Sequence, residues 1–98
     1  MHARVAVYDI PGHRVEEATT TFREAAGGIR GMEGLDEVYV LLSRESGRAL
    51  TMSMWKRQVD MEASRMRATR LRNEAANAVD GTIQSVVEYE VTLHETNF

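Results

Sequence analysis

Apolar and polar positions change period along this chain, and each change marks an element. Residues 3–10 alternate, with Ala3, Val5, Val7 and Asp9 on one side and Arg4, Ala6, Tyr8 and Ile10 on the other. Period two with β-branched residues predicts a strand, and Pro11-Gly12 breaks it. Over residues 13–26, Val15, Ala18, Phe22, Ala25 and Ala26 fall at helical spacing. That predicts an amphipathic helix, with Glu16 and Glu17 favourably placed in its first turn and Gly27-Gly28 as its stop. Residues 35–42 and 49–55 alternate again around a polar connection, Ser43 to Arg48, and predict a hairpin. Met61, Ala68, Leu71, Ala75 and Ala78 define the stripe of one second helix over residues 59–79, ended by Asp80-Gly81. Residues 82–93 predict the last and longest strand, before a loose polar tail from His94.

The order strand-helix-strand, twice over, predicts an α+β, ferredoxin-like β-α-β-β-α-β domain spanning residues 1–98. Right-handed crossovers put both helices on one face of a four-stranded antiparallel sheet. The more apolar strand faces (Val5/Val7, Val38/Val40/Leu42, Leu50/Met52/Met54, Val87/Val91) are expected to meet the helices. The opposite face would then carry Ala6, Tyr8, Tyr39, Leu41, Trp55 and Val86 among Arg4, Glu37, Thr51, Ser53, Glu88 and Glu90. An exposed sheet with two tyrosines and a tryptophan predicts an interface, and a two-fold homodimer is the simplest way to cover it. The alternative is a monomer whose outer face is half polar.

Composition narrows the class. Apolar residues at 43% and charged residues at 28% are globular values, and the net charge of −3 argues against nucleic-acid binding. There is no cysteine, which excludes disulfides, zinc–cysteine sites and a thiol nucleophile. No apolar h-region or membrane-length run occurs, so the expectation is a cytoplasmic protein with no membrane partner.

Several segments together resemble the antibiotic-biosynthesis-monooxygenase-like group of the dimeric α/β-barrel superfamily. They are Tyr8-Asp9-Ile10-Pro11-Gly12, Ile29-Arg30-Gly31-Met32-Glu33-Gly34-Leu35, Ser43-Arg44-Glu45-Ser46-Gly47, Thr51-Met52-Ser53-Met54-Trp55 and Ser85-Val86-Val87-Glu88-Tyr89-Glu90-Val91. The resemblance covers nearly the whole chain. It implies a dimer whose sheets pack into a barrel, with a ligand cavity between sheet and helices in each copy. It also implies one of three functions: cofactor-independent oxygenation of aromatic or polyketide-like substrates, haem degradation, or a non-catalytic ligand-binding or structural role. The haem-degrading branch carries an asparagine on the first strand and a tryptophan and histidine on the second helix. This chain has none of them there, so the expectation is no cofactor.

An oxygenase of this kind needs only to bind, deprotonate and shield an oxidisable substrate. The candidate helpers are Tyr39, Trp55, His13 and Arg70, with Tyr8 and Tyr89 beside them. Each also has a structural reading: sheet aromatics pack or form interfaces, His13 opens a helix, and Arg65, Arg67, Arg70 and Arg72 form a solvated helix face, with recognition of an anionic ligand as the alternative for these arginines. Phe22, Met52, Met54, Met61 and Leu71 are expected to line a cavity for a planar apolar small molecule. Histidines at 2, 13 and 94 have no metal-ligand spacing, and neither a nucleophile elbow nor a phosphate loop is present.

Overall fold

Alternation in β1 (His2–Asp9), β2 (Leu35–Leu42), β3 (Arg48–Trp55) and β4 (Thr82–Glu90) produces one antiparallel sheet, ordered β2-β3-β1-β4. The computed structural model describes residues 1–97; residue 98, the last of the predicted domain, lies outside the described residues. The first crossover carries α1 (Val15–Gly27) after a short 3-10 turn (Gly12–Arg14), and the second carries α2 (Gln58–Ala63) and α3 (Arg65–Ala78). Packing of α1 on α3 and β2, and of α3 on β4, lays the helices on one side of the sheet. This is the ferredoxin-like α+β arrangement. Among the described residues, no helix is long and apolar enough to cross a membrane.

β4 stops at Glu90 rather than at 93, because its neighbour runs out: His2, the first residue of β1, pairs with Glu90. The Val91 amide still donates to the Met1 carbonyl at 2.9 Å. The chain then returns far enough to bring His94 within 3.9 Å of Glu37 on β2.

The predicted single helix over 59–79 is two helices meeting at Ser64, which is fully buried. In an unbroken helix the Met61 carbonyl would take the amide of Arg65. Here it accepts instead from the Ser64 hydroxyl at 2.7 Å and from Arg4 Nη2 at 2.8 Å. Side-chain donors competing for a helix carbonyl bend or break the ladder at that point.

The face assignment is corrected for three of the four strands. Register places Arg4, Ala6 and Tyr8 beside Ser53, Thr51 and Ala49 on β3, and beside Glu88 and Val86 on β4. Those positions, with Trp55, Val38, Val40 and Leu42, face the helices. The outer face carries Val5, Val7, Leu50, Met52, Met54 and Val87, joined by Tyr39, Leu41 and Tyr89. Only β2 keeps its expected orientation. The helix-covered side is therefore the more polar one. What marks it is size: Ala6 and Ala49 are almost wholly buried because small side chains let α1 and α3 approach the sheet.

The core beneath the helices is split. One cluster gathers Tyr8, Phe22, Ile10, Val15 and Val79 around the alanines. The other gathers Ile29, Trp55 and Met61, with Leu35, Val38 and Leu71 packed against them.

Candidate functional site

Between these two clusters lies a half-open cavity of about 70 Å³. Its walls combine Phe22 and Ile29 from the first crossover, Val38 and Val40 from β2, and Ala68 and Leu71 from α3. Its polar groups come from β1 (Arg4, Tyr8), β3 (Thr51, Ser53) and α3 (Arg72). A mostly apolar cavity with a few convergent polar groups is the usual form of a small-molecule site.

Tyr8 is held by its neighbours. Its ring packs on Phe22 with centroids 4.7 Å apart, and its hydroxyl lies 3.0 Å from Thr51 Oγ1. Burial pushes the phenol above its ordinary pKa, opposed by the Thr51 hydrogen bond and the Arg72 charge. Tyr8 is thus a neutral hydrogen-bonding group at physiological pH.

The two cavity arginines differ. Arg4, 5% exposed, is fully engaged: Nη1 donates to Ser64 Oγ (2.9 Å), Nη2 to the Met61 carbonyl and to Glu88 Oε2 (both 2.8 Å), and Nε to Glu88 Oε2 (3.1 Å). Glu88 also accepts from Arg65, and the Arg65 and Arg4 guanidinium groups hold its carboxyl down to about 2. Arg72 is half-buried and has no such partner. Its Nη2 donates to Thr69 Oγ1 at 3.1 Å, and among the described residues no carboxylate forms an ion pair with it. Burial lowers its pKa, Tyr8 and Glu88 counter that, and Arg4 adds to it. It remains a cation, because a guanidinium does not lose its proton in proteins.

The candidates Tyr39, Trp55, His13 and Arg70 are not brought together. Tyr39 is exposed on the outer face and donates to Glu37 at 3.2 Å. Trp55 is completely buried against Ile29 and Met61, with Nε1 donating to Ser53 Oγ at 2.8 Å. His13 sits in the exposed 3-10 turn, Arg70 is exposed on α3, and Tyr89 is exposed on β4. Of the expected lining, Phe22 and Leu71 border the cavity, and Met52 touches it only from a strand position that faces the other side of the sheet. Met54 instead pairs with Ala3 on the other side of the sheet, and Met61 packs beside Trp55. Arg4, Thr51, Ser53 and Arg72 were not singled out by the sequence. The signal that could have found three of them is the run of polar residues on one strand face: Arg4 between Ala3 and Val5, Thr51 between Leu50 and Met52, and Ser53 between Met52 and Met54.

No family model matches the chain. Over 63 residues it is 36% identical to two uncharacterized proteins from strains of Mycobacterium tuberculosis, a match covering 64% of this chain and 28% of theirs. The matched region is thus little more than a quarter of those relatives. Solved structures are similar over much more of their length. A Deinococcus radiodurans protein assigned as an antibiotic biosynthesis monooxygenase aligns with a TM-score of 0.79 at 14% identity, covering 100% of this chain and 99% of that one. SnoaB, a cofactor-independent oxygenase from Streptomyces nogalater, aligns at 0.76 and 11%, covering 95% and 94%. This chain has the fold of the antibiotic biosynthesis monooxygenases.

Within that monooxygenase fold, a haem degrader from Mycobacterium tuberculosis with two haems in its active site aligns at 0.75 and 19%, covering 98% of this chain and 100% of that one. The residues of the present cavity do not fit haem. No histidine lines it, and its one phenol, Tyr8, is engaged by Thr51 and kept neutral by burial. The enclosed space is about half of the ~150 Å³ apolar cavity that holds a single benzene.

Proposed function

We propose that this chain works as a homodimer binding one small, apolar-bodied molecule in the cavity of each copy. The observation that carries the reading is the gap between the two core clusters, apolar on its walls and supplied with Tyr8, Thr51 and Arg72. Close-packed interiors hold few voids larger than a water molecule, and a half-buried charge beside one is stabilised by a compensating group. The dimer follows from the outer sheet face, where Tyr39, Leu41, Val87 and Tyr89 are each at least 40% exposed around Leu50, Met52, Val5 and Val7. An apolar face of that kind is covered most simply by a second copy.

A second reading, cofactor-independent oxygenation of an aromatic or polyketide-like compound, is favoured by the likeness to SnoaB and by the sheltered cationic cavity. Among the described residues the lining holds no imidazole and no carboxylate, the ordinary general bases. The reaction would be confined to substrates that ionise in water before binding. The chain would then supply orientation, charge stabilisation by Arg72 and exclusion of water.

The test is a thermal-shift panel of planar phenols, single-ring aromatics, flavins and haem, with sedimentation at micromolar concentration. The expected results are stabilisation by several degrees with a single-ring compound and a species of twice the 11.0 kDa chain mass. A panel that leaves Tm unmoved overturns the binding reading. A haem Soret shift overturns the choice of ligand, and a solely 11.0 kDa species overturns the dimer.

A further inference from the structure

We infer that Arg72 is the ligand-reading residue of this cavity, and that the ligand is a monoanion presenting a planar oxyanion on a body no larger than a single ring. The inference rests on the binding reading above and adds the charge and the size of the ligand.

The charge follows from what faces Arg72. It shares the cavity lining with Tyr8 and Arg4 of β1, feels the charge of Glu88 on β4, and on its own helix donates to the Thr69 hydroxyl. Glu88 is already shared by Arg4 and Arg65, and the remaining carboxylate nearby, Glu62, acts on Arg65. Arg4 and Arg65 each hold a carboxylate in an ion pair, and among the described residues Arg72 holds none. Arg72 is the member of the three that borders the cavity with no ion pair.

A half-buried charge without a partner lowers stability unless something compensates it, and an anion entering the cavity would do so. The planar fork of arginine matches a carboxylate with two parallel hydrogen bonds, and a phenolate with one. Tyr8 can add another. If Thr51 donates to the Tyr8 oxygen across their 3.0 Å contact, the phenolic proton is left for the ligand.

The size follows from the volume. About 70 Å³ is roughly half of the ~150 Å³ cavity that encloses benzene. The oxyanion and part of one ring fit inside, and the remainder emerges through the open side of the cavity. A polycyclic body exceeds that space.

The experiment compares three proteins, wild type, Arg72→Met and Arg72→Lys, with matched ligands. Benzoate is set against neutral benzamide, and 4-nitrophenolate against nitrobenzene at a pH where the phenol is ionised. Affinity is read by calorimetry and stability by Tm without ligand. The wild type is expected to prefer the anion of at least one pair by about tenfold or more. Arg72→Met should remove that preference while leaving the neutral compound's affinity unchanged, and its ligand-free Tm should equal or exceed that of the wild type, as expected when a partnerless charge is removed. Arg72→Lys should keep part of the preference, since charge is retained but the fork is not. Whichever anion is preferred identifies the oxyanion as carboxylate or phenolate. Equal binding of charged and neutral members by the wild type, or an undiminished preference in Arg72→Met, overturns the inference while leaving the binding reading intact. Absence of binding by all four compounds overturns the reading itself for ring-sized ligands.

Discussion

The two faces of the sheet invert the usual polarity of a two-layer domain. The side covered by the chain's own helices holds Arg4, Thr51, Ser53 and Glu88, while the side they leave uncovered holds Val5, Val7, Leu50, Met52 and Val87. The covered face is assembled by pairing. Arg4 reaches through the layer to the junction of α2 and α3, and small residues admit the helices. The uncovered face pairs its polar groups only at exposed ends: Asp9 accepts from Arg48 and Gln84, and Glu37 accepts from Tyr39 and lies 3.9 Å from His94. Hydrophobicity alone therefore does not say which side a chain covers for itself. In the proposed dimer the apolar side is the one reserved for another copy, and the polar side becomes a binding chamber.

The largest effect expected on this contrast is at Arg4. Arg4→Ala removes the donors to Ser64 and Met61 and strips Glu88 of its buried partner. Glu88 keeps Arg65, so the cost comes mainly from the lost bonds to Ser64 and Met61, about 1.5–3 kcal/mol for each hydrogen bond to a charged donor. Urea unfolding should show the midpoint falling accordingly, and Arg4→Lys should recover only part, since an ammonium cannot serve three acceptors in the guanidinium geometry. A midpoint within experimental error of wild type would mean that the covered face is not organised by this network.

The elements themselves were legible because period two and period 3.6 are local signals. The strand ending at residue 93 was not corrected by anything local, since its true end depends on where β1 begins, ninety residues away in the chain. The break at Ser64 was equally hidden: serine inside a helix is unremarkable until Arg4 is found donating to the same carbonyl. For the faces, alternation separates Arg4, Ala6 and Tyr8 from Val5 and Val7 without saying which set is covered. Summed hydrophobicity pointed the wrong way because both sides have a use for apolar residues. The alanines Ala6 and Ala49 carried the correct information. Of the site, Phe22 and Leu71 were readable from the helix stripes, whereas Arg72 was indistinguishable from the other arginines of α3 until the fold turned it inward.

A charge placed on the outer face sharpens the contrast from the other side. Leu50 lies on central β3 between Val7 and Leu41, on the face away from the cavity. In a lone chain Leu50→Glu stays half in water and costs little. In a two-fold dimer it brings two unpaired carboxylates into one interface, a penalty on the order of 3 kcal/mol or more. Sedimentation is expected to show the variant as an 11.0 kDa species at concentrations where the wild type has twice that mass, with ligand binding retained by the separated copies. A variant that stays dimeric would place the interface elsewhere.

The smallest effect is a pH dependence belonging to the covered face alone. Arg65 and Arg4 hold the Glu88 carboxyl down to about 2, against 4.5 for a free glutamate. A carboxyl lowered in the folded state stabilises it fully above the unfolded value, and that contribution disappears as pH falls from 4.5 towards 2. The gap corresponds to an upper limit of about 3 kcal/mol. Solvent around Arg65, which is 53% exposed, screens that pair and brings the expected contribution to about 1–2 kcal/mol. Glu88→Gln should therefore be less stable than wild type at neutral pH, and the two Tm curves should converge as the pH drops below 4.5. Parallel curves down to pH 2 would show that the Arg4–Glu88–Arg65 cluster does not set the acid stability of the covered face. Convergence only in Glu88→Gln, and not in a Glu37→Gln control on the outer face, would assign the acid sensitivity to the side of the sheet that the helices enclose.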